Sequence, residues 1–442
     1  MDKGNEALQN SRVAVDVTGH NISNANVDGY SRQQIHLESK HPVEHGVHVL
    51  GDGARIQSIA RSHDRFLESQ IRREIQNKHK QDGLQMGLSR LEDIFNPDLN
   101  STIRDRISFF QNSLRELSNY PEEHSVRINV AESAQALTQS FHNTSSSIIQ
   151  TQQDASEQIS LYADDLSQKL LDVARLNGQI REVGAGMLSD ANDLEDKRDK
   201  LIREIAEMID VRVYKDNKEQ IVIRGPNESL LVEGSLSSRV FMNKTSNTKD
   251  FPKLYISEFD KSEFQDVTAH TKNGKIGALM EVRDHYAQDI RNKIDEMAYA
   301  FGNRLNEIHA LGYGTNEYRN LSGRMFFSGI DSQQGAAQDI QVDSLILEEP
   351  SSIGTGISAY AMGDNVVVNQ MIRLMDEPIF EENTSSVSGL YDTIVAKLGV
   401  DSSKADQSSK ASDIVFQKLK TQREAVSGVS LDEEASNLLK FQ

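Results

Sequence analysis

Residues Ala14 to His36 read AVDVTGHNISNANVDGYSRQQIH, and a helical pattern collapses inside this run into an asparagine-rich reversal. Upstream, Leu8, Val15 and Ile22 recur every seven residues with Ala7 and Ala14 beside them, a narrow apolar seam suited to one partner helix. Then the periodicity stops. Asn21, Asn24, Asn26 and Asp28 can each bond local backbone through their side chains, and Asp28-Gly29 supplies a turn whose glycine tolerates positive φ. Beyond Tyr30 the spacing changes to two. Ser31, Gln33, Ile35 and Leu37 share one side, which predicts a strand.

Downstream of this joint the chain reads mainly as long helices. Lys40 to Gly53 is rich in Gly and His with one Pro, which excludes a helix there. The next pattern has Ser62 as its cap, with Phe66, Leu67, Ile71, Ile75, Leu84, Leu88, Leu91 and Phe95 on one side. Its charged middle, Arg72 to Gln85, predicts a mostly solvated helix, and Asn96-Pro97 ends it. Leu99, Ile103, Ile107, Phe110, Leu114 and Leu117 then form a clean amphipathic stripe. The longest pattern runs from about Glu122 to Val183, roughly sixty residues, or about 90 Å as one helix. Its Gln/Ser/Thr-rich middle, Thr138 to Ser156, weakens the seam.

Gly184-Ala185-Gly186 turns the chain into a further helix capped by Asp190 or Asn192. Period two at Val211, Val213, Ile221 and Ile223 around Asp216-Asn217-Lys218 predicts a β-hairpin. Short apolar runs at Leu230–Val232, Val240–Met242 and Leu254–Ile256 extend this β region, and the polar run Asn243–Asp250 reads as a loop tip. A long helix returns after Asn273-Gly274 and stops at Gly312. Residues 313–358 read as short strands in loops, and 364–375, 387–398 and 401–427 as helices.

Composition narrows the function classes. The 442 residues carry 48 basic and 67 acidic side chains, a net charge of −19, the wrong sign for a protein that neutralises phosphates. No apolar run approaches a membrane span, and Asp2-Lys3 is not followed by the apolar core of a signal peptide. Cysteine is absent, which removes disulfides, thiolate nucleophiles and cysteine-bound metals. His41, His45 and His48 have a spacing that would place imidazoles on one helical face for zinc, but Pro42 and Gly46 argue for an exposed loop. Gly354-Thr-Gly356-Ile-Ser-Ala359 fits a short dinucleotide fingerprint without the long helix and ribose-binding acid it needs. The acidic pairs 122–123, 348–349, 381–382 and 433–434 locate no cleft. No catalytic residue, cofactor or metal site is therefore expected.

The last residues hold the counterpart of the opening stretch. In Ser427-Gly-Val-Ser-Leu-Asp-Glu-Glu-Ala435, Ser430 is a natural N-cap, Glu433 stands three residues on as in a capping box, and Asp432 and Glu434 add negative charge to the first turn. Asn21-Ile-Ser-Asn24 with Gly29-Tyr30, and this C-terminal run, resemble the paired terminal signatures of the bacterial flagellar rod, hook and hook-associated proteins. Ser31-Arg32-Gln33, and the runs at 51–72, 274–284 and 306–314, resemble the hook-associated branch found at the hook-filament junction. The likeness extends over nearly the whole chain. Two departures stand out: the family's last helix runs several turns beyond Gln442, and its first begins before Met1, which suggests trimmed ends.

That resemblance implies an α+β, mainly α fold: an elongated long-helix bundle with terminal coiled-coil segments and an inserted small β-rich domain. The expected division is residues 1–36 as coiled-coil segment and joint, 37–209 as a helical bundle completed by 276–312 and 360–427, 210–275 as a β-rich outer domain with 313–358, and 428–442 as the start of the C-terminal coiled-coil helix. It implies a structural subunit whose interface residues are Leu8, Val15, Asn21, Ile22, Asn24, Gly29, Tyr30, Leu431, Glu434, Leu438 and Leu439. The implied partners are other copies in a helical ring, the hook protein, the second hook-associated protein and an export chaperone on the last helix. Nucleic acid and membrane insertion are not expected. The implied location is the extracellular flagellum, reached through its own channel without a cleaved signal peptide. The alternatives are another axial subunit of the rod or hook, or an extracellular metal-dependent hydrolase using the histidine run.

Overall fold

The structure is a computed structural model that describes residues 2–40, 43–45, 48–50, 53–96, 102–184, 191–216, 220–243, 251–259, 261, 263–361, 363–380 and 383–442. His41, Leu99, the Ala185-Gly186 turn, Asp190, the Asn217-Lys218 turn, the loop tip at 244–250 and the pair 381–382 lie outside these residues.

In chain order the elements are α1 (Asp2–Asn24), β1 (Gln33–Ser39), β2 (Val43–His45), β3 (His48–Leu50), β4 (Ala54–Arg61), α2 (Arg65–Ile94), α3 (Ile103–Asn119), α4 (His124–Gly184) and α5 (Ala191–Met208). Seven short strands follow: β5 (Arg212–Lys215), β6 (Ile221–Arg224), β7 (Leu230–Glu233), β8 (Leu236–Ser237), β9 (Arg239–Asn243), β10 (Lys253–Ser257) and β11 (Phe264–Asp266). Next come α6 (Gly274–Glu281), α7 (Ala287–His309), β12 (Phe327–Ser328), α8 (Ala336–Asp339), β13 (Gln341–Val342), α9 (Ser344–Glu348), α10 (Val366–Leu374), α11 (Val387–Ser427) and α12 (Leu431–Phe441). The fold is mainly α with small antiparallel sheets. The chain forms two compact units, residues 1–83, 158–278 and 407–442 in the first, 84–157 and 279–406 in the second.

In the first unit, β1 and β4 form an antiparallel ribbon that places Gln33 opposite Arg61. The register shifts between His36 and Leu37, and Leu37 is exposed. The expected alternation through Leu37 therefore fails at a bulge, which re-aims one side chain. The predicted β-hairpin is present, with Val213 opposite Ile223, inside the sheet β5-β6-β7-β8. A second sheet, β11-β10-β9, buries Val240, Leu254 and Ile256. Asp210 closes the region by accepting from the backbone N–H groups of Lys272 and Asn273. Gly274, at φ +72, is required there, since a Cβ would lie 2.6 Å from the Met208 carbonyl carbon.

Two expectations for α2 are corrected. Its first turn is capped by Asp64, which accepts from the N–H groups of Phe66 and Leu67, whereas Ser62 donates to the Val426 carbonyl. Its charged middle is half-buried rather than solvated, because Lys78 pairs with Asp82 at 2.8 Å and Asp413 at 3.2 Å and Asn77 donates to Ser412.

The second unit is held by apolar volume. Thr102 and Asp105 form a full capping box at the start of α3, whose stripe Ile103, Ile107, Phe110, Leu114 and Leu117 is buried. α3 packs on α10, and α10 on α7. Phe110 lies 5.8 Å from Phe326, and Phe301 6.0 Å from Phe327. At about 1.5–3 kcal/mol for each fully buried large side chain, this cluster is a large contribution to the unit's stability. The Gln/Ser/Thr-rich stretch of α4 does not interrupt its seam: Leu137, Phe141, Ile148 and Ala155 stay buried, and Thr151 and Ser156 return their hydroxyls to their own helix.

The single long helix expected before Gly312 is broken by a π-turn, Val282–Tyr286, between α6 and α7. A wider turn disturbs the carbonyl ladder. Fully buried Gln152 supports it by donating to the Arg283 carbonyl at 2.9 Å. Residues 313–358 lie in this unit and not with β5–β11. Their loops are tied by buried Arg127, which donates to the carbonyls of Pro121 and Ile353. The two helices expected at 387–398 and 401–427 are one, α11, running through Gly399. One glycine costs about 1 kcal/mol in a helix, which 41 residues of α11 absorb.

Candidate assembly site

The two ends of the chain meet. α1 packs on α12, and the contact is polar at its centre. Asn21 is only 1% exposed, and all four of its side-chain bonding positions are occupied. Its amide nitrogen donates to the Gln33 carbonyl at 3.0 Å and to Glu434 Oε2 at 3.1 Å, and its oxygen accepts from Tyr30 Oη at 2.8 Å and Gln33 N at 2.9 Å. One buried amide thus holds the end of α1, the start of β1 and the first turn of α12.

Arg32 completes the lock. Its Nη1 lies 2.8 Å from Glu433 and its Nε 2.7 Å from Glu434, itself 2% exposed. Its backbone N–H donates to the Ser427 carbonyl at 2.9 Å, just before the break that precedes α12. Ser430 caps α12 as expected, accepting from Glu433 N. The reciprocal half of the capping box is replaced, since the Glu433 carboxylate is engaged by Arg32.

Below the joint, α5 presents a buried ionic cluster. Asp196 accepts from Ser31 N at 2.9 Å and from Arg61 Nη1 at 2.6 Å, and Arg61 also meets Asp199 and Glu195. Burial alone would lower the Arg61 pKa, but Asp199, Glu195 and Asp196 raise it above its ordinary value. Burial raises the Asp196 carboxyl, opposed by Arg61 and Ser31. Tyr30 is pushed up by burial and then by Asp193, Asp196 and Glu434, so its phenol stays a hydrogen donor. Gly29 takes φ +91, and a Cβ there would meet Arg203 Nη2 at 3.2 Å. Arg203 and Arg423 converge on Glu68, tying α5 and the end of α11 to α2.

The expected interface residues divide into two groups. Asn21, Gly29, Tyr30 and Glu434 are brought together in the lock, and Asn24 returns its amide to the His20 carbonyl at the end of α1. Leu8, Leu431 and Leu439 are 72%, 53% and 76% exposed, and Val15, Ile22 and Leu438 are half-buried. The buried line on α1 is Ala14, Thr18 and Asn21, about 100° around the helix from the line Leu8, Val15 and Ile22. Arg61 and Asp196 escape a sequence reading, because they are 135 residues apart, and the pairing of Arg32 with Glu433 escapes it too, across 401 residues. Of the other candidates, His45 and His48 are paired backbone positions of the β2-β3 hairpin, so the spacing for a helical zinc face is not realised. Gly354 packs against Gly312, where a Cβ would lie 2.8 Å from its Cα, and among the described residues the next helix is α10, at Val366.

Paired chain ends held by a polar lock, long helices and small sheets match the architecture expected of a structural subunit. The profile of the flagellar hook-associated protein FlgK helical domain matches residues 88–327, and that of flagella basal body rod proteins matches residues 1–30. The chain is 27% identical to flagellar hook-associated protein 1 of Bacillus subtilis over all of its own length and 93% of the relative's, and 20% identical to that of Escherichia coli over 98% and 94%. The fold is similar to the flagellar hook junction protein FlgK of Burkholderia pseudomallei, with a TM-score of 0.73 at 12% identity, covering 81% of this chain and all of that one. The chain belongs to the flagellar hook-associated protein FlgK family. It is a structural component of the bacterial flagellum at the hook-filament junction, and not an enzyme.

Proposed function

We propose that residues 1–36 and 428–442 form the assembly segment of the subunit, with the Asn21-Arg32-Glu434 lock fixing the register of α1 on α12. A buried polar group at one position of a helix pair specifies register, because any slip leaves it unpaired. The observation that carries this reading is the division of faces: every side-chain bond of Asn21 is made within the chain and Arg32 is ion-paired with Glu433 and Glu434, while Leu8, Leu431 and Leu439 have no covering partner among the described residues. Those leucines are the surface for other copies in a helical ring, with the hook protein on one side and the second hook-associated protein on the other. α12 is the segment an export chaperone holds, and the chain travels through the flagellar channel. β5–β11 belong to an outer domain.

Complementation of a strain lacking this gene tests the proposal. The unaltered chain restores filaments on hooks, whereas Glu434→Ala leaves bare hooks with filament protein in the medium. Normal filaments with Glu434→Ala, at normal export of the variant, would sink the register lock.

A further inference from the structure

The Gln/Ser/Thr-rich stretch of α4 is not fully used by the bundle. In the second unit it lines a cavity of about 600 Å³, with walls from Ser140, Asn143, Thr144 and Ser147 on α4, Arg106 on α3 and Tyr391 on α11. Positions 140, 143, 144 and 147 form one stripe at helical spacing, next to the fully buried stripe Leu137, Phe141 and Ile148. Thr138, Thr151 and Ser156 return their hydroxyls to carbonyls of their own helix. Among the described residues, the side chains of Ser140, Thr144 and Ser147 make no hydrogen bond. Ser145, one residue along and 1% exposed, has a hydroxyl with no partner. Arg106 is half-buried without an ion pair among the described residues, its guanidinium resting 5.9 Å from the Phe109 ring. Burial pushes the Tyr391 phenol up to about 12, so it remains protonated.

The lining chooses the ligand. A volume of about 600 Å³ falls within the usual range of small-molecule sites. Only Ile94 and Ala136 are aliphatic walls, which suits neither a lipid nor an apolar metabolite. One guanidinium without a glycine-rich loop does not balance a polyphosphate. Unused hydroxyls, one cation and one aromatic ring match a polyhydroxylated ligand with a single carboxylate per unit, and Asn143, whose oxygen accepts from Gln139, keeps its amide N–H groups for it. We propose that this cavity binds an acidic sugar unit of a glycan, with Arg106 taking the carboxylate and the α4 hydroxyls taking the sugar hydroxyls.

Calorimetric titration of the full chain with digalacturonate, and with neutral maltose as control, tests this site. The expected result is saturable one-to-one binding of digalacturonate, about tenfold tighter than maltose, since a charge-assisted bond is worth about that factor. Arg106→Gln removes the preference for the acid. Ser147→Phe fills the cavity and abolishes binding of both sugars, with an unchanged helical spectrum and melting temperature showing that the variant folds. Absence of saturable digalacturonate binding, equal affinity for the two sugars, or unchanged binding to a folded Ser147→Phe chain would each overturn the proposal. Filament assembly is expected to persist in Arg106→Gln, so this result is separate from the test of the register lock.

Discussion

The α1-α12 pair and the α3-α7-α10 cluster are both helix contacts, yet they are built from different physics. The first buries Ala14, Thr18, Asn21 and Glu434; the second buries Phe110, Leu114, Leu117, Phe301, Phe326 and Phe327. An apolar cluster is stable by area and tolerates changes that keep its volume. A polar contact with little area depends on each bond being made, so a slip of one residue leaves Asn21 and Glu434 buried without partners. The difference teaches that the cluster holds the body of the subunit, while the terminal pair contributes register.

The largest effect is expected where volume rules. Phe110→Ala removes a fully buried ring that contacts Phe326 and Phe327, at a cost of about 4 kcal/mol. Urea unfolding of the second unit, followed through its amide exchange, measures this. A cost nearer that of an exposed site would show that the cluster repacks and that the contrast with the terminal pair is false.

The same unit carries a proton-linked weakness. His309 is fully buried, its Nδ1 donates to the Arg324 carbonyl at 2.9 Å, and its Nε2 accepts from Gly354 N at 2.9 Å, so the ring is neutral. Burial, with Arg324 and Arg127 nearby, lowers its pKa from 6.5 to about 4. Above pH 6.5 both folded and unfolded chains are neutral here and the full stability is present. As pH falls from 6.5 towards 4 only the unfolded chain takes the proton, so stability declines by roughly 3 kcal/mol and then levels off. Unfolding curves across that window, with His309→Gln as the variant that loses the slope, decide the matter.

A smaller, local effect is expected at the lock. Glu434→Ala leaves Arg32 and the Asn21 amide without their carboxylate, at about 2 kcal/mol, and frees α12 and the Gln33 amide to exchange while the Phe110 region stays protected. If both regions loosen together, the two contacts form one cooperative unit and the comparison fails. Gly29→Ala is expected to cost about 1 kcal/mol, since alanine must adopt φ +91 beside Arg203.

Regular pattern made much of this readable. The apolar seam of α4 marks nearly the whole 61-residue helix, because burial at 3.6-residue spacing leaves a periodic trace. Ser430 is readable as a cap because its bond is local. The face of α1 is not. A seam drawn through Leu8, Val15 and Ile22 follows hydrophobicity, whereas the chain buries alanine, threonine and asparagine, and the last is satisfied by Tyr30, Gln33 and Glu434. The partner that makes asparagine suitable there lies 413 residues away. The π-turn is equally hidden, since Gln152 and Arg283 are 131 residues apart.

The smallest effect on stability tests the comparison most sharply. Leu8→Ser with Leu439→Ser alters side chains that are 72% and 76% exposed, so the melting temperature of the isolated subunit is expected to stay unchanged. Yet these leucines lie on helices whose inner faces are already filled, and an exposed leucine gains from burial only when another chain covers it. The double variant is therefore expected to fold and be exported like the unaltered chain but to leave hooks without filaments. A variant that assembles normally would assign contact between subunits to another surface, and one that melts early would show that the two leucines belong to the fold.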